Sequence, residues 1–299
     1  IRGGGGNDLL QGGYGDDVLE GGTGADQLWD YGDMNAAGGN DGLIGGDGND
    51  RIGFYRSWGD NWSTALLSGG SGDDRIDAKT DNSSGRVTID AGEGADFVEL
   101  GGLGLKATVT LGSGRDTLWV GGIPGLIEGD VVVTDFTPGA AGDVLEWQAA
   151  LALACANWSP DSNPFATGHV RLVQSGADTL LQVDRDGGGS GYGFETLFTF
   201  QNVQASAFTA DNFEGYAPDG SPLAPGPDMF GTVGNDNIVG TARAELIDGL
   251  AGQDYIQGGG GSDTLRGNGG DDRLEGGIGN DLLEGGDGKD VLEGSYGED

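Results

Sequence analysis

Large apolar residues return every nine positions near both ends of the chain, as Leu10, Leu19 and Leu28 and again as Leu265, Leu274, Leu283 and Leu292. Most have a polar residue on at least one side, as in Thr264-Leu265-Arg266 and Arg273-Leu274-Glu275. Alternation with a period of two predicts very short strands at positions seven to nine, each sending only its middle residue inward. Six residues of the form Gly-Gly-x-Gly-x-Asp precede each strand, starting at Gly3, Gly12 and Gly21. In the C-terminal region the units start at Gly231, Gly240, Gly249, Gly258, Gly267, Gly276, Gly285 and Gly294, in unbroken register. Positions one to six therefore predict a tight turn whose glycines take positive φ and let neighbouring backbones approach closely. Two nonapeptides complete one coil, so alternate turns stack on the same edge. The predicted fold is all-β: a right-handed parallel β-roll, or β-solenoid, in two blocks joined by a β-rich capping module with a short helix.

After Gly45 the recognisable turns begin at Gly69, Ala91 and Leu111, at spacings of 24, 22 and 20 residues. Each spacing slightly exceeds one coil of two nonapeptides. One edge then keeps its turns, and the other carries insertions at Phe54 to Ser68, Ala78 to Asp90 and Leu100 to Thr110. Between about Gly121 and Gly226 the repeat stops. Val131 to Phe136 and Val144 to Leu145 read as strands that continue and cap the first roll, and Trp147 to Ala156 as a short helix. His169 to Gln174, Thr179 to Asp184 and Phe194 to Phe200 read as an antiparallel meander, and the proline-rich stretch Ala217 to Asp228 as a linker. The expected organisation is a roll over 1–120, a capping module and linker over 121–225, and a second roll over 226–299.

Charge changes this picture most. Asp and Glu number 49 against 14 Lys and Arg, a formal net charge of −35, and 66 residues are Gly. Glycine loses more backbone entropy on folding than any other residue, so an apolar interior alone starts at a disadvantage. The acids are evenly spaced, which points to cations as the missing partner. Such a surface repels nucleic-acid phosphates and anionic headgroups, so neither is expected as a partner. No stretch approaches the roughly 20 apolar residues of a membrane-spanning helix, and Ile1 to Leu10 lacks a signal-peptide core. Cys155 stands alone, so metal rather than disulfide is expected to staple the fold.

The sixth residue of each turn aims a carboxylate between stacked turns, and carboxylate and carbonyl oxygens are what a hard cation such as Ca²⁺ seeks. The candidate ligands are Asp8, Asp17, Asp26, Asp41, Asp50, Asp74, Asp96 and Asp116 in the first block. In the second they are Asp236, Glu245, Asp254, Asp263, Asp272, Asp281, Asp290 and Asp299, with Glu245 departing from the pattern by its longer arm. One ion per stacked pair of turns implies roughly a dozen Ca²⁺.

The nonapeptide resembles the calcium-binding repeat of RTX proteins. The middle segment is similar to the module that follows the repeats in type I secretion substrates, including the serralysin C-terminal domain. Val132-Val133-Thr134-Asp135-Phe136, Gly142-Asp143-Val144-Leu145 and Ala177 to Asp184 carry that likeness, although here further repeats follow the flank. The resemblance implies unfolded export and calcium-triggered folding outside a Gram-negative cell, hence a secreted, extracellular or cell-surface location. Two uses stay open. One is a structural or adhesive module, with self-association or a cell-surface partner. The other is a folding and secretion domain for an enzyme (a protease, lipase or epimerase) whose catalytic part lies elsewhere.

Other features carry less. Asp184-Arg185-Asp186-Gly187-Gly188-Gly189 with Glu195 resembles an EF-hand frame but lacks its fifth-position acid, and a plain hairpin is the preferred reading. Phe54, Tyr55, Trp58 and Trp62 form either a sticky patch or a cover over the roll edge. His169 is the sole histidine, which with one cysteine rules out a His/Cys zinc site, and no Ser or Cys has a convincing catalytic partner. The segment itself is therefore not expected to be an enzyme. Ile1-Arg2 and Asp299 fall inside nonapeptides, so both ends read as cuts through continuing rolls, as in a fibre or surface layer.

Overall fold

The computed structural model describes residues 1–13, 15–31, 39–56, 64–80, 85–102, 106–120, 131–155 and 157–299. Two parallel sheets face each other across the first roll. The smaller has seven strands, in the order Val144–Glu146, Thr117–Val120, Phe97–Gly101, Arg75–Thr80, Arg51–Arg56, Gln27–Tyr31 and Leu9–Gln11. Its register stacks Leu10, Leu28, Ile52, Ile76, Val98, Leu118 and Leu145 into one inward column. The facing sheet stacks Leu19, Leu43, Leu67, Ile89, Val109, Val133 and Phe200 in the same way. All fourteen are buried. Burial of each is worth about 1.5–3 kcal/mol, so the columns hold the two sheets together.

The strands are longer than the pattern predicts. Val18–Thr23 and Asp41–Asp47 run on through the first three residues of the following turn, which leaves only positions four to six as the corner. The cause is continued ladder bonding: the Gly24 and Gly48 amides donate to Asp47 and Ser71 of the next coil at 2.7 Å. Gly22 (φ 117°) and Gly24 (φ 123°) make this possible, because a β-carbon on either would strike the carbonyl oxygen of the coil below.

The ten-stranded sheet ends in an antiparallel meander, Glu195–Phe200, Asp178–Val183 and Val170–Ser175, whose first member pairs parallel to Val131–Val133. The capping strands and the helix Gln148–Ala154 lie where the sequence places them. Phe136, Phe200, Phe208 and Phe213 pack ring against ring over the end of the roll at 4.8–5.4 Å between neighbours, with Trp147 beside Phe213 at 5.7 Å. Glu214 holds the helix start by accepting from the Trp147 and Gln148 amides, both at 2.9 Å.

The C-terminal repeats form two four-stranded parallel sheets. Their interior is thin: Ile247, Ile256, Leu265 and Leu274 are sealed from solvent, whereas Leu292 is 45% exposed. This roll meets the cap through Asp161, which accepts from the Ser262 amide (2.9 Å) and hydroxyl (2.7 Å).

Candidate metal centre

On one edge of the first roll the turn aspartates form a continuous ladder. The backbone amide of each donates to Oδ1 of the aspartate one coil further on: Asp8 to Asp26, Asp26 to Asp50 and Asp50 to Asp74 at 2.7 Å, then Asp74 to Asp96 and Asp96 to Asp116 at 2.8 Å. The second roll carries two such ladders. One runs Asp236, Asp254, Asp272, Asp290, and the other Glu245, Asp263, Asp281, Asp299, with amide-to-Oδ1 distances of 2.8–3.1 Å.

The second carboxylate oxygen tells the other half. Oδ2 of Asp8, Asp26, Asp50, Asp74, Asp96 and Asp116 is buried without a hydrogen-bond partner, as is Oδ2 of Asp254, Asp263, Asp272 and Asp281. An unpaired buried carboxylate oxygen costs several kcal/mol, so a repeated row of them implies a cation between the turns. The first-position glycine supplies the room. A β-carbon built on Gly3 would lie 2.5 Å from Oδ2 of Asp8 and 2.8 Å from the carbonyl oxygen of Gly21. Gly21, Gly45, Gly69, Gly258, Gly267 and Gly276 face the same pair of oxygens, a turn carboxylate and the next coil's carbonyl. All-oxygen gaps of alternating charge and dipole fit a hard divalent ion of the calcium type.

Without an ion, burial and the neighbouring rungs push these acids up. Asp74 rises to about 7 and Asp263 to about 8, Asp116 and Asp281 to about 6, in every case chiefly because the carboxylate is desolvated, with ladder amides partly opposing the rise. Asp50, Asp96 and Asp254 move in the same direction for the same reason.

The remaining predicted ligands differ in setting. Asp236 and Glu245, the first rungs of the second roll, are met by their own turns: the Thr232 amide and hydroxyl bond Asp236, and those of Thr241 bond Glu245. Asp290 and Asp299 accept a ladder amide at the other end of that roll. Asp17 and Asp41 lie on the insertion edge, where the Asp17 amide donates to Asp41 Oδ1 at 2.9 Å and Arg56 takes Asp41 Oδ2. Two residues closing the first roll were not among the candidates. Asp143 receives the Asp116 amide (3.1 Å) on Oδ1 and the Thr137 amide (2.7 Å) on Oδ2. Asp135 accepts the Leu111 and Gly112 amides, both at 2.8 Å. Asp143 was findable, because Asp143-Val144-Leu145 keeps positions six to eight of the repeat.

The loop from Asp184 to Glu195 is stitched by its own amides. Asp184 accepts from Asp186 and Gly188 at 3.2 Å, Asp186 from Gly191 at 2.8 Å, and Glu195 pairs with Arg185 at 3.5 Å. Of the aromatic insertion, Phe54 is buried in the core, Tyr55 stacks on Tyr31 at 5.3 Å, and Trp58 and Trp62 fall outside the described residues. His169 is buried with Nδ1 2.8 Å from the Thr167 hydroxyl, and burial pushes the Cys155 thiol up to about 11.

Fold and site together define a parallel β-roll whose corners are clefts lined by carboxylate and carbonyl oxygens. The family model of the RTX calcium-binding nonapeptide repeat matches residues 1–29, 34–52, 68–102, 230–265 and 266–299, just over half of the chain, and the chain belongs to that family. Among solved structures it is similar to the AlgE6R3 subunit of the mannuronan C5-epimerase from Azotobacter vinelandii, at 20% identity over 70% of this chain and 77% of that one, with a TM-score of 0.21. A search of the curated proteins finds no match.

Proposed function

We propose that this chain is a calcium-folded structural or adhesive module of a type I-secreted bacterial protein, rigid outside the cell and compliant during export. The observation that carries the reading is the row of buried, partnerless Oδ2 atoms, those of Asp8, Asp26, Asp50, Asp74, Asp263, Asp272 and Asp281 facing a carbonyl of the next coil across the first-position glycine. On this reading the turn aspartates are the ligands, roughly one ion sits between each stacked pair of turns, and about a dozen bind in all. The ions cancel much of the −35 charge that would otherwise drive the coils apart. The thin second core makes that roll the more dependent on metal. The roll's role is mechanical, and catalysis is assigned to no residue in it.

Far-ultraviolet circular dichroism with excess calcium and with excess chelator tests the coupling. Collapse of the β signal in chelator and recovery on adding calcium is expected, and a full β signal in chelator would refute it. Negative-stain imaging of the calcium-loaded chain tests the structural role. Filaments or end-to-end stacks are expected, and isolated particles would shift the assignment to a folding domain attached to an enzyme.

A further inference from the structure

One corner of the first roll breaks the pattern in a way that the aspartate ladder makes legible. On the ladder edge the first positions are Gly3, Gly21, Gly45, Gly69 and Ala91, with an apolar Leu111 only in the last coil, and each Oδ2 is unpartnered. On the opposite edge the first-position column begins with Gly12 but continues as Asp30, Phe54, Ala78, Leu100 and Val120, in register and buried. The gap that Gly12 leaves is filled by carboxylate: a β-carbon there would lie 3.0 Å from Oδ2 of Asp30 and 3.4 Å from Oδ2 of Asp17. Above it, apolar side chains close the edge where the ladder edge keeps oxygen-lined clefts.

At the junction stands Arg56. Its guanidinium pairs with Asp30 at 3.1 Å and with Asp41, and the three side chains are 1%, 0% and 0% exposed. It also donates to the Tyr55 carbonyl at 3.2 Å and lies 4.3 Å from the centre of the Phe54 ring. Carboxylate oxygens of Asp17, Asp30 and Asp41 come within 4.8 Å of one another, the spacing of a metal cluster. Asp30 Oδ2 is aimed into that space with no hydrogen-bond partner. Asp41 makes the same amide-to-Oδ1 rung as Asp26 or Asp50, yet its Oδ2 is held by a guanidinium.

We propose that Arg56 is a tethered cation standing in for calcium at the Asp17, Asp30 and Asp41 corner, so that this turn is clamped without metal. The proposal rests on the calcium reading of the other corners. A divalent ion at the same oxygens would face a fixed positive charge in a poorly screened site, and the guanidinium excludes it. Unlike an ion, the arginine is not removed by dilution or chelator. It marks the point where this edge changes from metal-held to apolar, and it gives the chain one corner that closes before calcium arrives.

Native mass spectrometry in excess calcium, counting ions on the intact chain, tests this. Arg56→Met, which keeps the stem but not the charge, should carry one Ca²⁺ more than the unaltered chain. Asp41→Asn should leave the count unchanged, whereas Asp50→Asn on the ladder edge should lower it by one. A folded Arg56→Met chain with an unchanged count would overturn the proposal, as would loss of an ion in Asp41→Asn. If Arg56→Met fails to fold, the Asp41 and Asp50 variants decide. Absence of calcium from every chain would instead sink the calcium reading itself.

Discussion

Asp263→Asn separates the two jobs of a turn aspartate. Asp263 is 2% exposed, its Oδ1 accepts the Glu245 amide at 2.8 Å, and its Oδ2 faces the gap left by Gly258. Asparagine keeps an oxygen for the amide and removes the charge offered to the ion. An ion that binds only the folded roll adds about 1.4 kcal/mol of stability per tenfold rise in free calcium above its dissociation constant. Loss of one site should therefore lower the slope of unfolding free energy against log free calcium by about that amount. Asp263→Ala should lose the same slope and fall a further 1–3 kcal/mol or so at every calcium level, because the buried Glu245 amide is then orphaned. Glu245→Ala should leave the slope unchanged, since Thr241 already occupies that carboxylate. Urea unfolding followed by circular dichroism at four or five buffered calcium concentrations gives all three slopes. If Asp263→Asn keeps the slope of the unaltered chain, its Oδ2 holds no ion and the assignment of the ladder is wrong.

Acid should spare the metal-free roll. Asp74, Asp116, Asp263 and Asp281 have folded values raised to about 6 to 8 from 3.8, so metal-free stability is greatest below about pH 4 and is lost as pH rises through 6 to 8. Calcium affinity should climb over the same window, because protons and ions compete for the same oxygens. The β signal of the metal-free chain, read by circular dichroism at pH 5 and pH 8.5, checks the sign: more residual β structure is expected at pH 5, and more at pH 8.5 would contradict it. Ile256→Ala in the thin second core should cost about 2–5 kcal/mol and raise the calcium midpoint of that roll, read by calcium titration of the β signal. Glu214→Ala frees the Trp147 and Gln148 amides and should destabilise the cap by about 1–3 kcal/mol, visible as a shifted denaturation midpoint.

Periodicity carried most of the fold. A nine-residue register places Leu10, Leu28, Leu265 and Leu274 inward and brings Asp254 over Asp236 and Asp272 over Asp254, because equal chain lengths per coil return the same positions to the same edge. The meander and helix of the cap were legible from ordinary alternation. What lay beyond the sequence depends on pairings with no period. Arg56 reaches back 26 residues to Asp30, and Glu214 reaches back 67 to the Trp147 amide, so no local pattern announces either. Nor does the repeat say which carboxylate oxygens stay unpartnered. That is set by neighbouring coils, where Thr241 occupies Glu245, Arg56 occupies Asp41, and no group among the described residues bonds Asp74 Oδ2. Spacing along the chain fixes which residues meet when coils are of equal length, and only the closed structure decides which of their charges are already answered.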